Sequence, residues 1–147
     1  MTPAEVRLAL TARIAALTPS STYYQAATDA WTESKAPLIP ELTPEVQSNL
    51  AFFVDDREMR LVATRQGGTD YRVDAPVVVR FLYRMRSTDA VNDWDRAGKA
   101  ALALLDWLAD YQAAEFDLYF NEATLTRQVL GTDKLALSLR FNVIYFL

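Results

Sequence analysis

Hydrophobic and polar residues alternate over a long run from Tyr71 to Arg86. Tyr71, Val73, Ala75, Val77, Val79, Phe81, Tyr83 and Met85 share one parity; Arg72, Asp74, Arg80, Arg84 and Arg86 share the other. A period of two belongs to a strand with one face on a core. Pro76 interrupts the donors of that strand and predicts a sheet edge or a bulge. After Ser87 and Thr88 the period becomes helical. Trp94, Ala97, Ala101, Leu104, Leu105, Leu108 and Tyr111 fall on one stripe, predicting a helix that runs to about Asp110. Asn92 is the expected cap, and Asp93 and Asp95 suit the positive end of the helix dipole. A strand and a helix this close, each with one apolar side, pack on each other.

The same patterning extends to the rest of the chain. Thr2-Pro3-Ala4-Glu5 is a capping box with proline at the first helical position, predicting a helix over 3–17. Its apolar stripe is Val6, Ala9, Leu10, Ile14 and Leu17, with Arg7 and Arg13 outside. Residues 18–49 carry Pro19, Pro37, Pro40 and Pro44; they predict a short helix over 22–32 and an extended loop over 36–44. Leu50, Phe52 and Val54, a turn at 55–58, and Met59, Leu61 and Ala63 predict a hairpin. Residues 66–70 are a flexible tip. Phe116, Leu118 and Phe120 suggest one strand, and Leu125, Arg127 and Val129 another before a Gly131-Thr132-Asp133 turn. The last strand alternates from Leu135 to Leu147, and a strand running to the last residue implies a paired terminus. Ile144 and Phe146 make even its outer face apolar, which calls for cover by this chain's own loop or by another subunit. The fold class expected is α+β: a mainly antiparallel sheet with two main helices packed on one face, in a single domain over 1–147.

Composition narrows the function. The chain has 147 residues, 51% hydrophobic and 23% charged, enough to bury a core. A net charge of −4 argues against gripping nucleic acid by bulk charge. With no cysteine there is no disulfide or thiolate chemistry; with no histidine the commonest general base and metal ligand are missing. The start lacks a signal-peptide pattern and no apolar stretch approaches 20 residues, so a soluble product made in the cytoplasm, without a membrane partner, is expected.

Candidate chemistry is sparse. The carboxylate neighbours Asp55/Asp56, Asp93/Asp95 and Glu115/Asp117 occupy a turn, a helix start and a loop, where acids occur for structural reasons. Gly67-Gly68 lacks the spacing and the lysine of a phosphate loop. No catalytic residue, metal ligand or cofactor site is expected. Arg72, Arg80, Arg84 and Arg86 on the non-core face of the long strand read either as a ladder facing phosphates or as a solvated or interface face. The acidic chain favours the second. With Ile144 and Phe146, they are the candidate subunit or tube interface.

The order of these pieces resembles the tail terminator (tail completion, or head–tail joining) proteins of long-tailed bacteriophages and gene transfer agents. The resemblance lies in the Val6–Leu17 helix, the proline-bearing loop around Trp31 and the strand Leu50-Ala51-Phe52-Phe53-Val54. It continues through the central strand from Val77 to Arg86, the Asp93-Trp94-Asp95 helix opening and the closing strand Leu139–Tyr145. It covers most of the chain by texture, and the loop at 33–49 matches least. It implies a non-enzymatic morphogenesis factor that acts in the tail and neck of the virion. Such a protein forms a hexameric ring on the tail tube protein, ends polymerisation, and offers a surface to the head–tail connector (stopper) protein. DNA passes through such a ring without specific binding. The alternatives are another connector or tube-like tail component, and a small ligand-binding α+β domain.

Overall fold

The structure, a computed structural model, describes residues 1–18, 30–34, 49–58, 60–64, 71–85 and 90–147. They form α1 (Pro3–Ala15), β1 (Thr32–Glu33), β2 (Ala51–Asp55), β3 (Arg60–Thr64), β4 (Tyr71–Arg84), α2 (Ala90–Ala109), β5 (Phe116–Leu130) and β6 (Lys134–Phe146). The chain is α+β, with two helices and a mixed sheet. Most of the helix expected over 22–32, the loop over 36–44, the tip at 66–70 and Arg86 lie outside the described residues. Thr32, expected at the end of that helix, instead opens β1.

β4 organises the sheet. One side pairs antiparallel with β6 along its length, from Arg72 opposite Phe146 to Arg84 opposite Lys134. Its other side is divided: β3 pairs with residues 71–74 and β2 with residues 78–81, both antiparallel. β1 adds to β2 in parallel, and β5 closes the opposite edge by pairing antiparallel with β6. The hairpin expected over 49–64 is therefore corrected. Both strands exist, but each pairs with β4 and not with the other. A strand of 14 residues offers enough backbone donors and acceptors to serve two short partners end to end. Pro76 is corrected too. It sits opposite Asn142 inside the sheet, in the interval where β3 has stopped pairing and β2 has not begun. Its missing N–H fits a locally open side just as it would fit an edge.

The core collects the odd-numbered side chains of β4 and β6, from Val73 to Tyr83 and from Leu135 to Tyr145, with Phe52 and Val54 of β2. Val6, Leu10 and Ile14 of α1 and Ala97, Ala100, Ala101, Leu104 and Leu108 of α2 join the same cluster. The three buried alanines let the α2 backbone come close to its neighbours. Trp31, just before β1, is buried edge-on against Phe81 at a centroid distance of 4.9 Å. Leu50 adopts φ 56°, a left-handed value uncommon for a branched side chain. Its amide donates to the Leu82 carbonyl at 2.8 Å and its carbonyl accepts from Thr32, so the turn ties β1 to β4.

Local signals hold at the N-terminus: Thr2 and Glu5 form both hydrogen bonds of the capping box, and the Thr2 amide, then its hydroxyl, donating to the Glu5 carboxyl hold that carboxyl below its usual pKa. Three other details differ from expectation. α2 begins at Ala90, so Asn92 lies within the first turn and is not the cap. The two strands expected over 116–129 are one strand with a register shift between Tyr119 and Thr124, which moves the helix-side parity from Phe116 and Leu118 to Leu125, Arg127 and Val129. Gly131, at φ 60°, supplies the left-handed residue of the β5–β6 turn.

The third difference is Arg13, which is half-buried and not outside. Its guanidinium lies 3.4 Å from the Trp107 ring centroid and donates to the Trp107 carbonyl at 2.8 Å, while Trp107 Nε1 donates back to the Arg13 carbonyl at 2.6 Å. This reciprocal clamp joins α1 to α2. Arg13→Ala should cost about 1–2 kcal/mol, lowering the urea midpoint. Arg13→Lys should recover only part of that, because an ammonium reaches the carbonyl but cannot stack as a plane.

Candidate functional site

Strand parity places Arg72, Arg80, Arg84, Ile144 and Phe146 on one face of the sheet, opposite the core. The register then separates them. Arg72 is directly opposite Phe146, and Asp74 opposite Ile144, at the end where β4 starts and β6 finishes. Arg84 lies 12 residues further along β4, roughly 40 Å away at strand rise. There it meets Asp133 at 3.7 Å beside the β5–β6 turn. One patch of Arg72, Ile144 and Phe146 therefore exists, and no single surface contains all the arginines. Arg86 lies outside the described residues.

Arg80 occupies the middle of that face and pairs within its own chain. Asp55, buried at the end of β2, accepts from Arg57 Nε at 2.7 Å and lies 3.2 Å from Arg80. The hydrogen bond from the Arg57 side chain holds the Asp55 carboxyl below its ordinary pKa, more than burial raises it; the Arg57 amide and the charges of Arg57 and Arg80 add to the lowering. Around this pair is a shallow hollow of about 350 Å³ lined also by Glu58 and Arg140, which lie 3.2 Å apart. Of the other acids singled out in the sequence, Asp56 pairs with Arg7 at 3.3 Å and Asp93, fully buried, with Arg96 at 2.9 Å. A carboxylate whose oxygens are held by guanidinium groups is a weak proton acceptor. Among the described residues no three His, Cys, Asp or Glu side chains gather as a metal cluster would require.

No family model matches this chain, and no curated protein does.

What the chain presents is surface. At the Arg72 end, Tyr71, Phe146 and Leu147 stay 43%, 49% and 43% exposed. Leu147, expected to continue the core face, instead ends at the surface, its amide donating to the Tyr71 carbonyl at 2.9 Å. Beside them a hollow of about 380 Å³ has Ile144, Tyr119, Asp74 and Glu122 in its lining, with Arg60 opposite. The Asp74 Oδ1 atom is buried with no hydrogen-bond partner among the described residues.

A second exposed area lies on the helix side. Arg127 of β5 lies over the Trp94 ring of α2 at 4.8 Å, with Leu125 and Val129 beside it on the same strand face, all three apolar side chains partly or largely exposed. Val91 and Leu102 on the same flank of α2 are more exposed still. The sequence holds one signal for this area: α2 carries apolar residues on more of its circumference than one core-facing stripe needs.

Proposed function

We propose that this chain is a tail terminator, a structural virion protein without enzymatic activity. In this reading copies close into a ring on the end of a tail tube, stop its growth and present a face to the head–tail connector. The observation that carries the reading is the apolar end of the sheet, where Tyr71, Phe146 and Leu147 remain close to half exposed beside Arg72. By parity Phe146 points to the outer face and Tyr71 and Leu147 to the helix side, so this end of the sheet leaves apolar side chains uncovered on both faces, as a contact site would. The architecture we take from it is a predominantly antiparallel sheet with both helices over one face, which leaves the other face and the β5 edge to neighbours. A net charge of −4 suits a channel through which DNA slides without adhering. Six copies, a place in the tail and neck, and synthesis in the host cytoplasm follow from the family resemblance.

The test is tube growth. Tail tube protein encoded beside this chain is polymerised with and without it, and lengths are measured by electron microscopy. Capping yields shorter tubes with one decorated end. Unchanged tubes overturn the reading, and filaments grown from the chain alone mark a tube component instead. Phe146→Asp should weaken tube-end binding about tenfold or more. Because Phe146 is half exposed, the melting temperature should move by no more than about 2 °C. Equal loss of both would make Phe146 a core residue.

A further inference from the structure

A ring is built from one contact repeated head to tail, so each copy must carry two different patches that fit each other. The following inference rests on the ring reading and names those patches. Both apolar areas described above lie on this chain, far apart and on opposite faces of the β5–β6 pair. The first faces the helix side: Trp94, Leu125 and Val129 around the exposed Arg127. Among the described residues Arg127 makes no ion pair, although its guanidinium lies over the Trp94 ring. The second lies on the outer face, where Ile144 is flanked in register by Asp74 on β4 and Asp117 on β5. Glu122 and the half-exposed Tyr119 line the same hollow.

The two patches are complementary in charge. One is an apolar ridge centred on a cation. The other is a mostly polar hollow in which Ile144 and Tyr119 lie among Asn121, Asn142, Asp74 and Glu122, with Asp117 beside Ile144 in register and Arg60 and Arg72 partly offsetting the acids. It also contains Asp74, whose buried Oδ1 has no donor among the described residues. An orphaned carboxylate oxygen is costly to keep, and a guanidinium entering the hollow satisfies it once the side chains covering it move aside. We infer that the Trp94–Arg127 ridge of one copy seats in the Ile144 hollow of the next. Arg127 then meets Asp74, Asp117 or Glu122 across the joint. The apolar side chains supply the buried area, and the charges fix the direction, because ridge-to-ridge contact opposes two arginines and hollow-to-hollow contact opposes the acids. Because the two patches lie far apart on opposite faces of the β5–β6 pair, one neighbour cannot engage both, so the contact does not close as a two-fold dimer.

The chain contains no cysteine, so introduced thiols report cleanly. Val129→Cys places one in the ridge and Tyr119→Cys one at the hollow. Val129 is opposite Leu135 and Tyr119 opposite Asn142 on β6, a separation of roughly 24 Å along the strand. A disulfide spans at most about 7 Å between Cα atoms, so the two thiols of one chain cannot join. On oxidation the double variant should give a ladder of covalent multimers. A mixture of the two single variants should stop at dimers, and each single variant alone should stay monomeric. Adding Arg127→Glu should reduce ladder formation about tenfold with circular dichroism unchanged, and Asp117→Arg in the same chain should restore part of it.

Absence of cross-links in the double variant overturns the pairing. So does a single variant that dimerises with itself, which would mean a symmetric contact. Thiols that resist a small maleimide in the folded chain would mean that the chain's own segments cover both patches, again overturning it. Tube growth separates this inference from the function on which it rests. Tubes that are capped without a ladder refute the pairing alone, whereas a ladder with unaffected tubes supports the pairing and refutes the terminator reading.

Discussion

Phe81→Ala should lower the free energy of unfolding by about 3–5 kcal/mol, measurable as a fall in the urea midpoint with the slope unchanged. Phe81 is fully buried in β4, the strand on which β2, β3 and β6 all depend. It is paired with Phe52 on one side and Leu137 on the other. Trp31 meets it edge-on at 4.9 Å, and Phe52 at 6.3 Å, so one large ring holds the short β1 segment against the sheet. Removing Phe81 leaves a cavity among three strands whose backbones are fixed by their ladders and cannot collapse far. The two-residue β1 makes few hydrogen bonds of its own, so Trp31 is its main anchor. A double-mutant cycle of Phe81→Ala with Trp31→Ala should therefore show coupling of about 1 kcal/mol. Strict additivity would show that Trp31 packs independently of the sheet centre.

The same β4 explains which parts of the fold were legible in advance. Its parity, the parity of β6 and the helical stripe of α2 are properties of single elements and read correctly for the most part, but Trp94, expected on the α2 stripe, is exposed, the buried set running from Ala97 to Leu108. The capping box of α1 is equally local. What could not be read is which element meets which. β2 and β3 carry the pattern of a hairpin because alternation is identical whatever partner a strand takes. Only the length of β4 makes a third strand the partner of both. Asn92 looks like a cap because caps are recognised by residue type, and several residues before Asp93 are chemically acceptable. Its charge alone points Arg13 to solvent, whereas an arginine stem and plane can lie along a tryptophan with the donors pointing at a carbonyl.

The candidate surfaces divide in the same way. That Arg72, Ile144 and Phe146 point away from the core follows from parity, which the sequence shows; that Phe146 lies opposite Arg72 is visible only in the β4–β6 register. The Trp94–Arg127 ridge does not, because it joins a helix flank to a strand beyond a register shift. Counting on from Phe116 and Leu118 places Arg127 on the outer face, and the irregular stretch between Tyr119 and Thr124 reverses that.

Asp55→Asn should cost about 2 kcal/mol and remove an acid-sensitive part of the stability. Asp55 is buried, yet the arginines that hold it are not equally so: the Arg80 side chain is 26% exposed and that of Arg57 70%. Arg80 Nε is buried without a hydrogen-bond partner among the described residues, so Asp55 is the group that balances its charge. An amide keeps the shape but offers one acceptor where two were used, and the Arg80 charge stays under the sheet surface. The direction with pH follows from the lowered pKa of Asp55, caused first by the Arg57 hydrogen bond. In the unfolded chain Asp55 takes up a proton at the ordinary carboxylate pKa; in the folded chain it does so only at lower pH. Its contribution is therefore complete above the unfolded value and is lost as pH falls through the folded one. Between neutral pH and the ordinary carboxylate range the wild type should exceed Asp55→Asn by a constant margin, and below that range the two curves should converge. Urea titrations at a series of acidic pH values measure this. A margin that stays constant to the lowest pH at which both fold would show that the Asp55 charge does not contribute to stability.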